Sequence, residues 1–143
     1  MSPLNSKVTK ALLIPLNEEG LILIQDRENY KPPRWGYFGG SVEKNETVME
    51  ALVREAKEEL DINISNVPLE KLGEFEDQIG DTVTQRHVFI LKVEDSWRYE
   101  VKEGKGAKWV KPQTMIDLMR EFSGDADIRI AQSTRAFSSN NKF

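Results

Sequence analysis

Residues Gly40 to Ile62 read GSVEKNETVMEALVREAKEELDI, and within them Arg54-Glu55-Ala56-Lys57-Glu58-Glu59 crowds three carboxylates around two cations. Wound at about 100° per residue, Met49, Leu52, Val53, Ala56 and Leu60 align on one stripe of the kind that packs on a core. Glu55, Glu58 and Glu59 then share the remaining surface, because residues three and four apart on a helix are neighbours, about 5–6 Å from each other. Thr47 followed by Glu50 fits a capping box, so the helix is expected to begin at Val48 with its register fixed at the start.

At about 6 Å, each pair of these carboxylates repels by about 3 kcal/mol at an effective dielectric of about 20, and Arg54 and Lys57 offset only part of that. A divalent cation reverses the sign. Hard oxygen donors favour Mg²⁺ or Mn²⁺, with positions left over for water and phosphate oxygens. The plainer reading is a solvated acidic face laced by Glu50–Arg54 and Arg54–Glu58 pairs, and the helix alone leaves both readings open.

The segment ahead of the helix separates them. Gly40, five residues, Glu46, seven residues, then Arg54-Glu55-Ala56, one residue, Glu58-Glu59, one residue and Asp61-Ile62 resembles the Nudix box, GX5EX7REUXEEXGU with U aliphatic. All its charged positions are present. Ala56 is a small version of the aliphatic residue, and Asp61 stands where the box has Gly, at a position that commonly turns left-handed after the last helical turn. The approach, Trp35-Gly36-Tyr37-Phe38-Gly39-Gly40, is also similar to the family's, with Phe38 in place of the commoner Pro.

The resemblance implies an α/β/α sandwich around a mixed sheet and a hydrolase for nucleoside diphosphates linked to another moiety. Mg²⁺ or Mn²⁺ would assist attack of water on a phosphoanhydride. It implies Glu55, Glu58 and Glu59 as metal ligands, with Glu55 or Glu58 as the base; a carbonyl of Gly39 or Gly40 is a further oxygen donor. Arg54 and Glu46 would orient these groups. Family members often add a carboxylate from outside the box, for which Glu103 is best placed, with Glu100 and Asp77 as rivals.

Substrate choice is less legible. Some branches carry a Pro or a Tyr roughly sixteen residues past the box, associated with ADP-ribose and dinucleoside polyphosphates; here Gln78, Ile79 and Gly80 occupy that region. The Phe38-Gly39-Gly40 step resembles that of members that cleave nucleoside triphosphates to monophosphate and pyrophosphate. Nucleotide sugars and RNA 5′ ends stay open, as does a module that senses a nucleotide without hydrolysing it. Arg27, Arg34 and Arg86 are candidate phosphate contacts, and Trp35, Tyr37 and Phe38 candidate base contacts against the alternative that they are core. His87, inside an apolar strand, reads as a satisfied core residue and not a catalyst.

Composition sets outer bounds. With 143 residues, 38% apolar and 31% charged, the chain fits one domain over 1–143, its ends near 1–6 and 138–143 loosely ordered. No cysteine is present, which excludes disulfides and thiolate chemistry and fits a reducing cytoplasm. The start, MSPLNSK, lacks an apolar signal core, and no apolar run is long enough to span a bilayer. A net charge of −4 with scattered Lys and Arg gives no footprint for duplex nucleic acid, so phosphate has to be drawn in locally; a homodimer stays open.

Along the chain, Lys7 to Leu16 and Leu21 to Gln25 read as a hairpin with Gly20 at positive φ. Asp26 to Phe38, with Pro32-Pro33, reads as a loop forming a pocket wall. Strands are expected over Leu69 to Ile79, Thr82 to Val93 and Gly106 to Lys111. Helices are expected from Pro112 to about Phe122 and over Asp125 to Ala136.

Overall fold

Ala11 to Leu16 are buried without alternation, because the strand that contains them, Ser6–Asn17 (β1), is covered on both faces. A computed structural model describes residues 6–27, 34–102, 106–120 and 125–140. Thr82–Val93 (β6) pairs with β1 in parallel along its whole length, from Ser6↔Thr82 to Asn17↔Val93. The opposite edge of β1 is shared: Ile22–Arg27 (β2) meets it at Leu16↔Ile22, and Phe38–Ser41 (β4) occupies Lys10 to Leu13. Arg34–Gly36 (β3) and Gly106–Val110 (β7) flank β2, and Glu70–Ile79 (β5) closes the far side against β6. The result is a mixed seven-stranded sheet.

Val48–Leu60 (α1) covers one face of this sheet, and Pro112–Met119 (α2) and Asp125–Asn140 (α3) cover the other. The period of two along β1 sorts the core. Ala11 and Leu13 pack with Leu23, Phe38, Leu52, Ala56 and Phe89 under α1; Leu12, Ile14 and Leu16 pack with Tyr37, Ile90, Met115 and Ile130 under α2 and α3. This is the expected α/β/α sandwich. The first hairpin turns where Asn17 Oδ1 accepts the amides of Glu19 and Leu21 and Gly20 takes φ +82°.

Three expectations are corrected. The span Asp26 to Phe38 is not all loop: β2 runs on to Arg27, and Arg34–Gly36 and the start of β4 are strands, because main-chain pairing with β2 and β1 outweighs the turn-forming composition. On α1, Met49 is 42% exposed, while Ala51 and Glu59 are buried, so the packed stripe is rotated from the one drawn by hydrophobicity alone. Finally, α3 runs to Asn140, taking in Ser138 to Asn140 of the supposed tail; Ser6 likewise already belongs to β1. The expected continuation of α2 to Phe122 falls outside the described residues. No helix of the described residues is long and apolar enough to cross a membrane.

Candidate active site

Both ends of α1 are fixed locally. Thr47 is extended, its hydroxyl accepts the Glu50 amide at 3.0 Å, and the Glu50 carboxylate accepts the Thr47 amide at 2.8 Å, completing the capping box. At the other end Asp61 turns left-handed (φ 55°), its amide reaches the Lys57 carbonyl, and its carboxylate takes the Lys57 ammonium at 2.7 Å. Asp is among the few residues besides Gly that visit this region readily, so the departure from glycine leaves the helix end intact.

The helix lies against β4 through two glycines. Glu59 is only 5% exposed, and its carboxylate accepts the Gly39 amide at 2.6 Å. Burial of that charge is tolerable because the bond is charge-assisted. One residue on, a Cβ at Gly40 would stand 2.5 Å from Glu55 Oε1. The bare backbone is thus what lets the Glu55 carboxylate lie against the strand.

Arg54 organises the remaining acids. Its Nε and Nη2 grip both oxygens of Glu46 at 2.8 and 2.9 Å, Nη2 also reaches the Ser41 carbonyl, and Nη1 reaches Glu55 at 3.0 Å and Glu58 at 3.5 Å. A planar fork with several donors suits this arrangement, and a lysine would not reproduce it. The Glu50–Arg54 pair of the plainer reading gives way to capping by Glu50 and to Glu46 as the partner of Arg54.

The bond from Arg54, then that from the Glu43 amide, holds the Glu46 carboxyl down at about 2 against an ordinary 4.5. Glu46, with burial opposing, and then Glu55 and Glu43 raise the guanidinium pKa further, so Arg54 stays charged at any working pH. The sign of the linkage follows. Glu46 binds its proton more weakly folded than unfolded, so its contribution to stability is full above about pH 4.5 and disappears as pH falls through about 2. In urea titrations across that window, the stability difference between wild type and Glu46→Gln is expected to shrink steadily; a difference independent of pH would contradict this coupling.

Among the described residues, no three His, Cys, Asp or Glu side chains are grouped closely enough to hold a metal ion. The expected trio stands apart. Glu55 and Glu58 turn toward Arg54, Glu58 with 47% of its side chain exposed, and Glu59 turns inward to Gly39. The donor chemistry does fit a hard divalent ion: carboxylate oxygens from one helix, one of them on the half-exposed side chain of Glu58, beside a glycine backbone whose carbonyls an ion can approach.

The other expected site residues disperse. Tyr37 is 2% and Phe38 0% exposed, on opposite faces of the sheet, so neither presents a ring to a base. Tyr37 donates its hydroxyl to the Asp127 carbonyl at 3.0 Å, and burial, then the Asp127 charge, raises its pKa. Trp35 is half-buried against the core under α2 and α3, with the Lys108 ammonium 4.0 Å from its ring centre. Arg86 lies on that same face, opposite α1, held by Asp77 at 3.0 Å with Asp127 at 3.8 Å, so two carboxylates already balance its charge. Asp77, a rival to Glu103, is engaged by Arg86, and Glu103 lies outside the described residues. Arg27 and Arg34 are Cα partners across β2 and β3. His87 is part-buried, with Lys71 and Glu74 beside its ring, so its neighbours are more polar than a core position supplies.

Sequence reasoning missed two features. One is the Gly39 amide as the partner that turns Glu59 inward. The other is the stretch Trp97 to Lys102, where half-buried Trp97, Tyr99 and Val101 alternate with exposed Arg98, Glu100 and Lys102. That period of two was a readable signal of an extended segment with one face packed.

The sequence model described as the NUDIX domain matches residues 7–129. No curated protein matches the chain. Among solved structures, the ORF135 protein of E. coli is 21% identical over 98% of both chains, with a TM-score of 0.76. The dihydroneopterin triphosphate pyrophosphohydrolase of E. coli is 22% identical, covering 93% of this chain and 96% of its own, at 0.72. An Ap4A hydrolase of C. elegans is 18% identical, covering 94% and 99%, at 0.73.

Proposed function

The chain belongs to the Nudix family, and from that premise we propose that it is a Mg²⁺- or Mn²⁺-dependent pyrophosphohydrolase that cleaves nucleoside triphosphates to monophosphate and pyrophosphate. The observation that carries the reading is the placement of Glu55 and Glu59 against Gly40 and Gly39, with Arg54 fixed beside them by Glu46. Glu55, Glu58 and Glu59, with the Gly40 carbonyl, would hold the cation. Bound there, it would supply Lewis acidity toward the phosphoanhydride and offset the charge of the polyphosphate.

The chain's own groups do the rest. Glu55 orients the attacking water and takes its proton as the water oxygen bonds to phosphorus and the bond to the pyrophosphate oxygen breaks. Arg54 keeps Glu55 and Glu58 aligned while Glu46 holds the guanidinium in place. Arg27 and Arg34, Cα partners across β2 and β3, are assigned to the polyphosphate. Glu103 is assigned a supporting carboxylate. Cysteine-free composition supports a reducing, cytoplasmic setting.

The choice of triphosphates rests on the Phe38-Gly39-Gly40 step and agrees with the triphosphate substrate named for one structural neighbour. An Ap4A hydrolase shares the fold, so the fold by itself does not choose the substrate. Purified protein with Mg²⁺ and a panel of nucleoside triphosphates, nucleotide sugars and capped RNA is expected to release pyrophosphate from a triphosphate. No turnover of any member, or undiminished turnover by Glu58→Gln, would overturn the reading; preference for a sugar or RNA end would move the substrate and keep the chemistry.

A further inference from the structure

The last carbonyls of a helix have no partner within it and must be met from outside. In α1 the Lys57 carbonyl is met by the Asp61 amide, but those of Glu59 and Leu60 are met by a distant segment: Lys102 N–H reaches Glu59 O and Glu100 N–H reaches Leu60 O, both at 2.9 Å. Lys102 adds its ammonium 3.8 Å from Asp61. The same extended segment sends its alternate side chains inward. Trp97 stacks on Tyr99 with ring centres 4.7 Å apart, and both meet the edge of Trp109 on β7 at 6.4 Å. Stacked and edge-on aromatic pairs of this kind stabilise beyond the area they bury.

We propose that Trp97 to Lys102 is a strap whose ring cluster, with Tyr99 at its centre, positions the catalytic end of α1, and Glu59 above all. Glu59 is held twice, its carbonyl by the strap and its carboxylate by Gly39, next to the glycine on which Glu55 lies. A strap anchored by rigid rings fixes how far this last turn sits over β4, and with it the depth at which Glu59 meets the strand. Tyr99 is therefore a positioning residue, acting through main-chain bonds and touching no reacting atom. Its catalytic consequence rests on the function proposed above; its structural consequence does not.

Hydrogen exchange tests the strap without substrate. Tyr99→Leu keeps an apolar side chain but removes the ring, and is expected to speed exchange of the Gly39 amide at least about tenfold relative to that of Ile14 in the central strand, with Tyr99→Phe restoring it. Ile130→Val, a core change on the opposite face, should instead alter both amides alike. If Tyr99→Leu proves too unstable to measure, Lys102→Pro, which deletes one of the two donors, is expected to give the same selective effect. Equal changes at Gly39 and Ile14 in the strap variants would overturn the proposal.

In turnover, Tyr99→Leu is expected to lower kcat about tenfold and raise the Mg²⁺ concentration for half-activity, with the KM for nucleotide within about twofold and rescue by Tyr99→Phe. A wild type without turnover would defeat the proposed function while leaving the exchange result to decide the strap. Selective exchange with unchanged kcat would overturn the positioning role.

Discussion

Gly39→Ala is expected to destabilise the fold by at least about 3 kcal/mol, a large part of the total of about 5–15 kcal/mol typical of a domain. Gly39 has φ +125°, a conformation that L-residues rarely adopt, and the added Cβ would stand 2.1 Å from the Ala11 carbonyl oxygen and 2.9 Å from the Leu12 Cα. Those are main-chain atoms of the central strand, buried on both faces and paired along its length with β6, so they cannot give way. Strain of about 1–3 kcal/mol from the dihedral adds to a similar cost for the overlap. With a urea dependence of about 2 kcal/mol per molar, the midpoint should fall by about 1.5 M. Gly40→Ala offers the control one residue away. The nearest atoms to its Cβ are the end of the Glu55 side chain, which can swing aside, so stability should fall by less than about 1 kcal/mol while the carboxylate leaves its place. Equal midpoints for Gly39→Ala and wild type would refute the close approach.

Glu55→Gln is expected to reduce kcat about 10³-fold in the proposed reaction, within the range of about 10²–10⁴ that a positioned base contributes. The amide keeps the shape of the side chain and an oxygen for Arg54 Nη1, so the fold should survive with an unchanged midpoint. What it loses is the capacity to take a proton and one negative charge from the group of acids around Arg54. Pre-steady-state measurement of pyrophosphate release at saturating Mg²⁺ separates the two: a lost base slows the chemical step even when the ion is bound, whereas a lost ligand is recovered by more metal. Full turnover by Glu55→Gln, with Glu58→Gln inactive, would transfer the base to Glu58. Both active would remove the base from the box altogether.

The box helix was legible almost to the residue. Thr47 and Glu50 set its start, while its packed stripe and the convergence of its three acids were misplaced: hydrophobicity ranks Met49 above Ala51, but a helix lying close to a sheet buries the small residue and leaves the long one at the rim. The strands around Gly80 were also legible from their length and the turn between them. Less legible was everything that depends on which residues meet across the sheet. Tyr37, Phe38 and Arg86 had the chemistry of ligand contacts, but a side chain's partners come from other strands. Pairing sent Tyr37 to Asp127, Phe38 under α1, and Arg86 between Asp77 and Asp127.

Taken alone, the sequence determined the family, the helix that bears the carboxylates, and the sandwich that family membership entails, because those are written in local spacing: a cap, a helical period and a run of charges obey rules that reach only a few residues. Tertiary structure alone decided that Glu59 turns inward to Gly39, that Glu46 is the partner of Arg54, and that a strap from beyond β6 closes the end of α1. Those contacts join residues far apart in the chain, and their partners are chosen by sheet register and by the need of buried amides and carbonyls for a bond, neither of which a single line of residues encodes on its own.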